Sequence, residues 1–89
     1  MDIKYMFRLY VAGRTPRSVS TIEQVRSFLE RRYAANYELL VVDVLKEPFK
    51  AVENKVLATP TLVRVHPKPC KRVIGSFQFA DTLLSAIFD

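Results

Sequence analysis

The chain has 89 residues, 49% of them hydrophobic and 26% charged, with a net charge of +5. That length fits one domain over residues 1–89, and the composition is ordinary for a globular fold. A single cysteine, Cys70, excludes an internal disulfide, and with a single histidine, His66, it excludes a cysteine- or histidine-rich metal centre.

In chain order, Ile3, Tyr5, Phe7, Leu9 and Val11 alternate with Lys4, Met6, Arg8, Tyr10 and Ala12. Period two over ten residues predicts a strand with one well-buried face. Gly13 and Arg14 break the pattern. Thr15 then offers an N-cap and Pro16 suits the first helical position. Val19, Ile22, Val25, Phe28, Leu29 and Tyr33 follow at helical spacing and predict an amphipathic helix over about Pro16–Tyr33. Tyr37 to Leu45 is almost continuously apolar, which predicts a central strand covered on both faces and parallel to the first. Pro48 opens a short helix to about Asn54, and Leu62–Val65 reads as a third strand. Pro67 and Pro69 bracket a turn before an edge strand, Lys71–Ile74, that ends at Gly75. Phe79, Leu83 and Ile87 share a helical face, which predicts a last helix over Phe79–Phe88 with Met6 and Tyr10 packed beneath it. The order is βαβαββα.

Charge is uneven along the chain. No acidic residue lies between Glu53 and Asp81, while that interval holds Lys55, Arg64, Lys68, Lys71 and Arg72. Such a basic stretch attracts acidic partners, and it serves equally well as a solvated face. There is no nucleic-acid-binding motif, so no nucleic-acid partner is expected. The sequence has no Ser-His-Asp set, phosphate-binding glycine run or paired carboxylates at an evident site, so neither enzyme activity nor a cofactor is expected. No apolar run approaches the ~18 residues of a bilayer span, and no signal-peptide pattern follows Met1; the expectation is a cytoplasmic protein with no membrane partner. His66 is expected at the surface, and Cys70 is expected to pack as a small hydrophobe.

Two stretches carry a recognisable pattern. Leu9-Tyr10-Val11-Ala12-Gly13-Arg14-Thr15-Pro16 resembles the KaiB signature "LYVAG-x-TP". Asp43-Val44-Leu45-Lys46, followed by Leu57-Ala58-Thr59-Pro60-Thr61-Leu62, is similar to that family's "DVLK…LATPTL". Lys71 to Gly75 extends the likeness, which spans about Tyr5–Gly75. It implies a thioredoxin-like α/β fold, with the alternative of the family's βαββααβ ground-state tetramer. Where thioredoxins carry a CxxC pair this chain has Thr15-Pro16-Arg17-Ser18, so two-cysteine exchange is excluded. Thr59-Pro60-Thr61 resembles the thioredoxin cis-proline loop, which makes Pro60 a candidate structural cis-proline.

The resemblance further implies a non-catalytic binding module of the circadian clock. Its partners would be the KaiC ATPase, whose phosphorylation cycle it modulates, and KaiA or a histidine kinase of the SasA or CikA type. The alternative is a thioredoxin-like adaptor for a histidine kinase or another ATPase, outside the clock. Lys55, Arg64, Lys71 and Arg72 stand where relatives carry partner-binding basic residues. Three departures bear on binding: Ser20 and Glu23 replace basic positions of the first helix, and Leu40 replaces a common Lys of the second strand. Two departures bear on fold state. Ala86 replaces a Gly, which favours helix by ~1 kcal/mol. Phe88 replaces an Asp, which removes a helix-dipole penalty of roughly 0.3–1 kcal/mol. Both favour the thioredoxin-like arrangement and a resting monomer.

Overall fold

The computed structural model describes residues 4–75. The helix expected over Phe79–Phe88, and with it Ala86 and Phe88, lies outside the described residues. Within them the order is β1 (Tyr5–Val11), α1 (Pro16–Tyr33), β2 (Tyr37–Asp43), α2 (Pro48–Glu53), β3 (Thr61–His66) and β4 (Lys71–Ile74). This is the thioredoxin-like order expected from the sequence, as far as Gly75.

The sheet runs β2-β1-β3-β4, with β1 parallel to β2 and β3 antiparallel to both β1 and β4. Alternation along β1 sorts its side chains to two faces. Phe7, Leu9 and Val11 meet Val25, Phe28 and Leu29 of α1, with Leu62 and Val73 completing one buried cluster. On the other face Tyr10, Val42 and Val63 form a smaller cluster, flanked by Val44, Val56 and Val65. Tyr10 is therefore core, whereas Met6 stays 42% exposed.

Helix α1 begins as its sequence dictates. The Thr15 hydroxyl accepts the Ser18 amide at 3.0 Å, and Pro16 occupies the first turn, where no N–H is needed. Its buried stripe is Thr21, Val25, Phe28 and Leu29. Val19, expected in that stripe, is 47% exposed, because Thr21 occupies the buried line one turn before Val25.

Strand β2 departs from expectation. It is an edge strand among the described residues, and β1 is central. Leu39 and Val41 pack toward α1, while Leu40 on the opposite face is 51% exposed. The apolar run also overshoots the strand, since Leu45 lies in the turn after Asp43 and is 71% exposed.

Asp43 ties the ends of β1 and β2 together. One carboxylate oxygen accepts the amides of Gly13 (2.9 Å) and Leu45 (3.0 Å), and the Val44 amide donates to the Val11 carbonyl at 2.8 Å. Gly13 is required here: its φ is +78°, and an added Cβ would stand 3.2 Å from Leu45 Cδ1. The Gly13 amide, helped by those of Leu45 and Lys46 and by the Lys46 charge, holds the Asp43 carboxyl below the ordinary aspartate value against a smaller desolvation effect. A carboxyl lowered in the folded state contributes stability above its unfolded pKa and loses it as pH falls through the folded one. Urea unfolding should therefore show Asp43→Asn less stable than the parent at neutral pH, with the difference shrinking as pH falls through and below the ordinary aspartate range. A constant difference across that range would show that the carboxylate charge is not the cause.

Candidate protein-docking site

The segment from Leu45 to Leu57 is poorly covered by the rest of the protein. Helix α2 has no buried residue. Leu45, Phe49, Val52 and Leu57 are 71%, 79%, 74% and 95% exposed. Phe49 and Val52 are three apart on one helix and so share a face. Among these apolar groups stand Lys46, Lys50 and Lys55, all exposed, with Lys50 paired to Glu47 at 3.2 Å. An apolar surface set among cations suits a partner that offers apolar groups and carboxylates.

Polar ties, more than apolar packing, hold this segment to the sheet. The Arg72 guanidinium donates to the carbonyls of Asn54 (3.0 Å) and Lys55 (3.1 Å). Asn54 donates from its amide to the Lys50 carbonyl at 2.8 Å, and its side-chain oxygen receives a long 3.5 Å contact from Arg8. The sheet register explains how these groups converge. Arg8 pairs with Val63 and Val63 with Arg72, so all three lie in one row on the face that bears α2. Lys55 has a φ of +55°, a left-handed conformation uncommon for a side-chain-bearing residue, and the turn it makes is the one Arg72 grips.

The four basic positions singled out in the sequence therefore separate. Lys55 is exposed at the end of the α2 segment. Arg72 is exposed, but its guanidinium is engaged with that segment's backbone. Lys71 is half-buried and pairs across the strands with Arg64 on the α1 face. Arg64 itself is only 8% exposed and donates to the Pro69 carbonyl at 3.1 Å. It is a buried structural residue in this structure, contrary to its expected place on a basic docking face. The alternation of β3 turns Leu62 and Arg64 toward the α1 side, where both are buried. Cys70, expected to pack, is exposed. Sequence reading missed Asn54 and Arg8, whose positions carry no motif, and it missed Phe49, whose exposure depends on how little α2 packs.

At the C-terminal end of β1, the first turn of α1 faces the Thr59–Pro60 bond across a shared cavity. That bond is cis, as are His66–Pro67 and Lys68–Pro69. No cysteine stands at the helix N-terminus, where Thr15, Pro16, Arg17 and Ser18 take the place of a thiol pair. The arrangement defines a class: a thioredoxin-fold domain without two-cysteine chemistry.

Solved structures agree on the fold. The N-terminal domain of SasA from Synechococcus elongatus superposes with a TM-score of 0.77 at 21% identity, covering 97% of this chain and 81% of that one. Mitochondrial thioredoxin 3 from Saccharomyces cerevisiae gives 0.73 at 19% identity, covering 98% and 79%. Sequence relatives narrow the class. Residues 8–87 match the KaiB domain model. The circadian clock oscillator protein KaiB of Thermosynechococcus vestitus is 45% identical over 80 residues, 90% of this chain and 74% of that protein. Its counterpart in Prochlorococcus marinus is 44% identical over 90% and 76%. The chain belongs to the KaiB family, whose members are non-catalytic circadian-clock proteins. Among the described residues no helix is long and apolar enough to cross a membrane.

The role of Arg72 is separable from that of Lys55. Arg72→Ala should cost about 1 kcal/mol and speed amide exchange at Lys55 and Val56, and Arg72→Lys should restore little, since a lysine lacks the fork that spans two carbonyls. Lys55→Gly should stabilise the fold by up to about 1 kcal/mol by relieving the left-handed conformation. Chemical denaturation and hydrogen exchange check both; unchanged exchange in Arg72→Ala would mean the clamp does not hold the turn.

Proposed function

We propose that this chain is a clock protein that binds a KaiC-like ATPase through the Leu45–Leu57 segment and modulates its phosphorylation cycle. The observation that carries the reading is the group of large apolar side chains left in solvent on a segment held by polar ties. Fully burying a side chain such as Phe49 or Leu57 is worth roughly 1.5–3 kcal/mol, so a few of them supply much of a binding energy. Lys46, Lys50 and Lys55 add a field that speeds encounter with an acidic surface and fixes orientation. Arg72 acts as a positioning residue that presents Lys55, and Lys71 adds charge beside it in sequence. We assign the working form to a cytoplasmic monomer, in which the α2 face is open.

A second reading rests on a separate observation. Among the described residues strand β2 is an edge with Leu40 exposed beside it, and an open edge accepts an added strand from another protein. In this reading the partner is KaiA or a histidine kinase of the SasA or CikA type.

Binding of the purified full chain to purified KaiC, followed by interferometry, tests the first reading. Phe49→Ala should weaken binding about tenfold while leaving stability within about 0.5 kcal/mol. Lys55→Glu should slow association most at low salt. If the folded chain ignores KaiC but captures a kinase sensory domain in a manner lost in Leu40→Glu, the second reading replaces the first.

A further inference from the structure

Strand β2 is an edge among the described residues, and it carries none of the usual guards of an edge. Its residues, Tyr37–Asp43, include no proline or lysine, and its pairing with β1 runs without a bulge. At its two ends the Asn36 carbonyl accepts the Tyr5 amide at 3.0 Å, and the Val44 amide donates to the Val11 carbonyl at 2.8 Å. In an unbroken parallel ladder every second residue turns its N–H and C=O to the same neighbour. Glu38, Leu40 and Val42 are therefore spent on β1, and Leu39 and Val41 point their backbone groups to the open side.

This open side is complementary to itself. Leu40 is the middle residue of the strand. A second copy laid antiparallel about a twofold axis at Leu40 sets Leu39 of each strand against Val41 of the other. These are the outward-facing residues, so each such pair exchanges both main-chain hydrogen bonds. Leu40 then meets Leu40 at the close, non-hydrogen-bonded position, with Cα atoms ~4.5 Å apart. In the single chain Leu40 is 51% exposed, and this contact covers it.

A separate observation lies on the helix side. Helix α1 packs on residues of both β1 and β2. Its Val19, Ile22 and Arg26 flank β2 beside Val41 and Asp43, in a groove of about 440 Å³. Val19 is 47% exposed there. Neighbouring strands lie ~4.8 Å apart, so helices seated over the β1–β2 pairs of two copies stand about two spacings, ~10 Å, from each other, the distance of packed helices. The second helix thus fills the groove and covers Val19. Glu23, Arg26 and Glu30 continue this flank, all exposed, in the order acid, base, acid. Two such helices running antiparallel set each Arg26 among the carboxylates of the other.

We infer that two copies of this chain pair reversibly through β2 into one continuous sheet, with Leu40 on the axis and α1 packed against α1. The pairing occupies the strand edge that the second reading leaves to another protein, so dimer formation and strand addition exclude each other, and the monomer remains the working form. The inference does not rest on the α2 docking reading, and its test uses the chain alone.

Sedimentation velocity of the full chain over a concentration series should show a monomer–dimer equilibrium. Leu40→Lys and Leu40→Glu should each weaken dimerisation about tenfold or more, because each sets like charges together on the axis. An equimolar mixture of the two variants should dimerise again, since residue 40 of one copy then meets the opposite charge in the other. Position 40 is half-exposed, and melting verifies that both variants fold. Should either not fold, Arg26→Glu, at an exposed site of α1, reads the same weakening. A parent chain that stays monomeric into the millimolar range, a dimer that the Leu40 variants or Arg26→Glu leave intact, or Leu40 variants that remain monomers when mixed would overturn the proposal.

Discussion

Strand β1 is hydrogen-bonded along both edges, to β2 in parallel and to β3 antiparallel, and the rest of the described structure follows from its alternation. Odd-numbered side chains build the core with α1, and even-numbered ones face α2. A slip of one residue would turn Phe7, Leu9 and Val11 toward the thinly covered face and drive Arg8 into the core beneath α1. The register is therefore fixed mainly by hydrophobic burial beneath α1, with Tyr10, Val42 and Val63 adding a smaller buried cluster on the other face. Asp43 secures it at the end of the strand pair, where Gly13 turns the chain toward α1.

The two faces are held by different physics. Beneath α1, Val25 and Leu29 are wholly buried, and truncating Leu29 to Ala would cost on the order of 2–5 kcal/mol. Around α2 the corresponding apolar residues are exposed, and position is set by Arg72, Asn54 and their carbonyl partners. Such contacts are individually weak and lie near solvent, so they permit local opening without loss of the core. This division suits a binding protein. One half of the sheet supplies stability, while the other keeps apolar surface available for a partner.

The elements legible in the sequence were those whose periodicity matches a single burial environment. β1 and α1 emerged with nearly their observed bounds, and Thr15 with Pro16 marked the helix start. The place of β2 in the sheet was not legible, because a run of Leu and Val records hydrophobicity but not which neighbours lie beside it. Leu40 and Leu45 belong to that run and are exposed. Arg64 misled for a related reason: within a basic stretch it reads as surface, and only the register of β3 shows that it shares the face of Leu62 and Phe7. The partners of Arg72 are backbone carbonyls 17 and 18 residues earlier in the chain, and a carbonyl carries no side-chain signature. The family motifs located the site region, while the division of labour among its cations came from the tertiary contacts.

The same logic explains what becomes of a thioredoxin framework once its sulfur is gone. A helix N-terminus favours negative charge, and beside a cysteine it does so by lowering the thiol's pKa until the nucleophile ionises in place. Thr15 and Ser18 have hydroxyls that do not ionise in the neutral range, so the helix field can no longer create an anion from the chain's own atoms. The field itself persists, along with Arg17 and the facing loop at Pro60. What remains is a set of hydrogen-bond donors without a negative charge of their own to serve. Loss of the thiols therefore leaves the end of α1 with its positive potential but without a group of the chain's own that this potential could ionise.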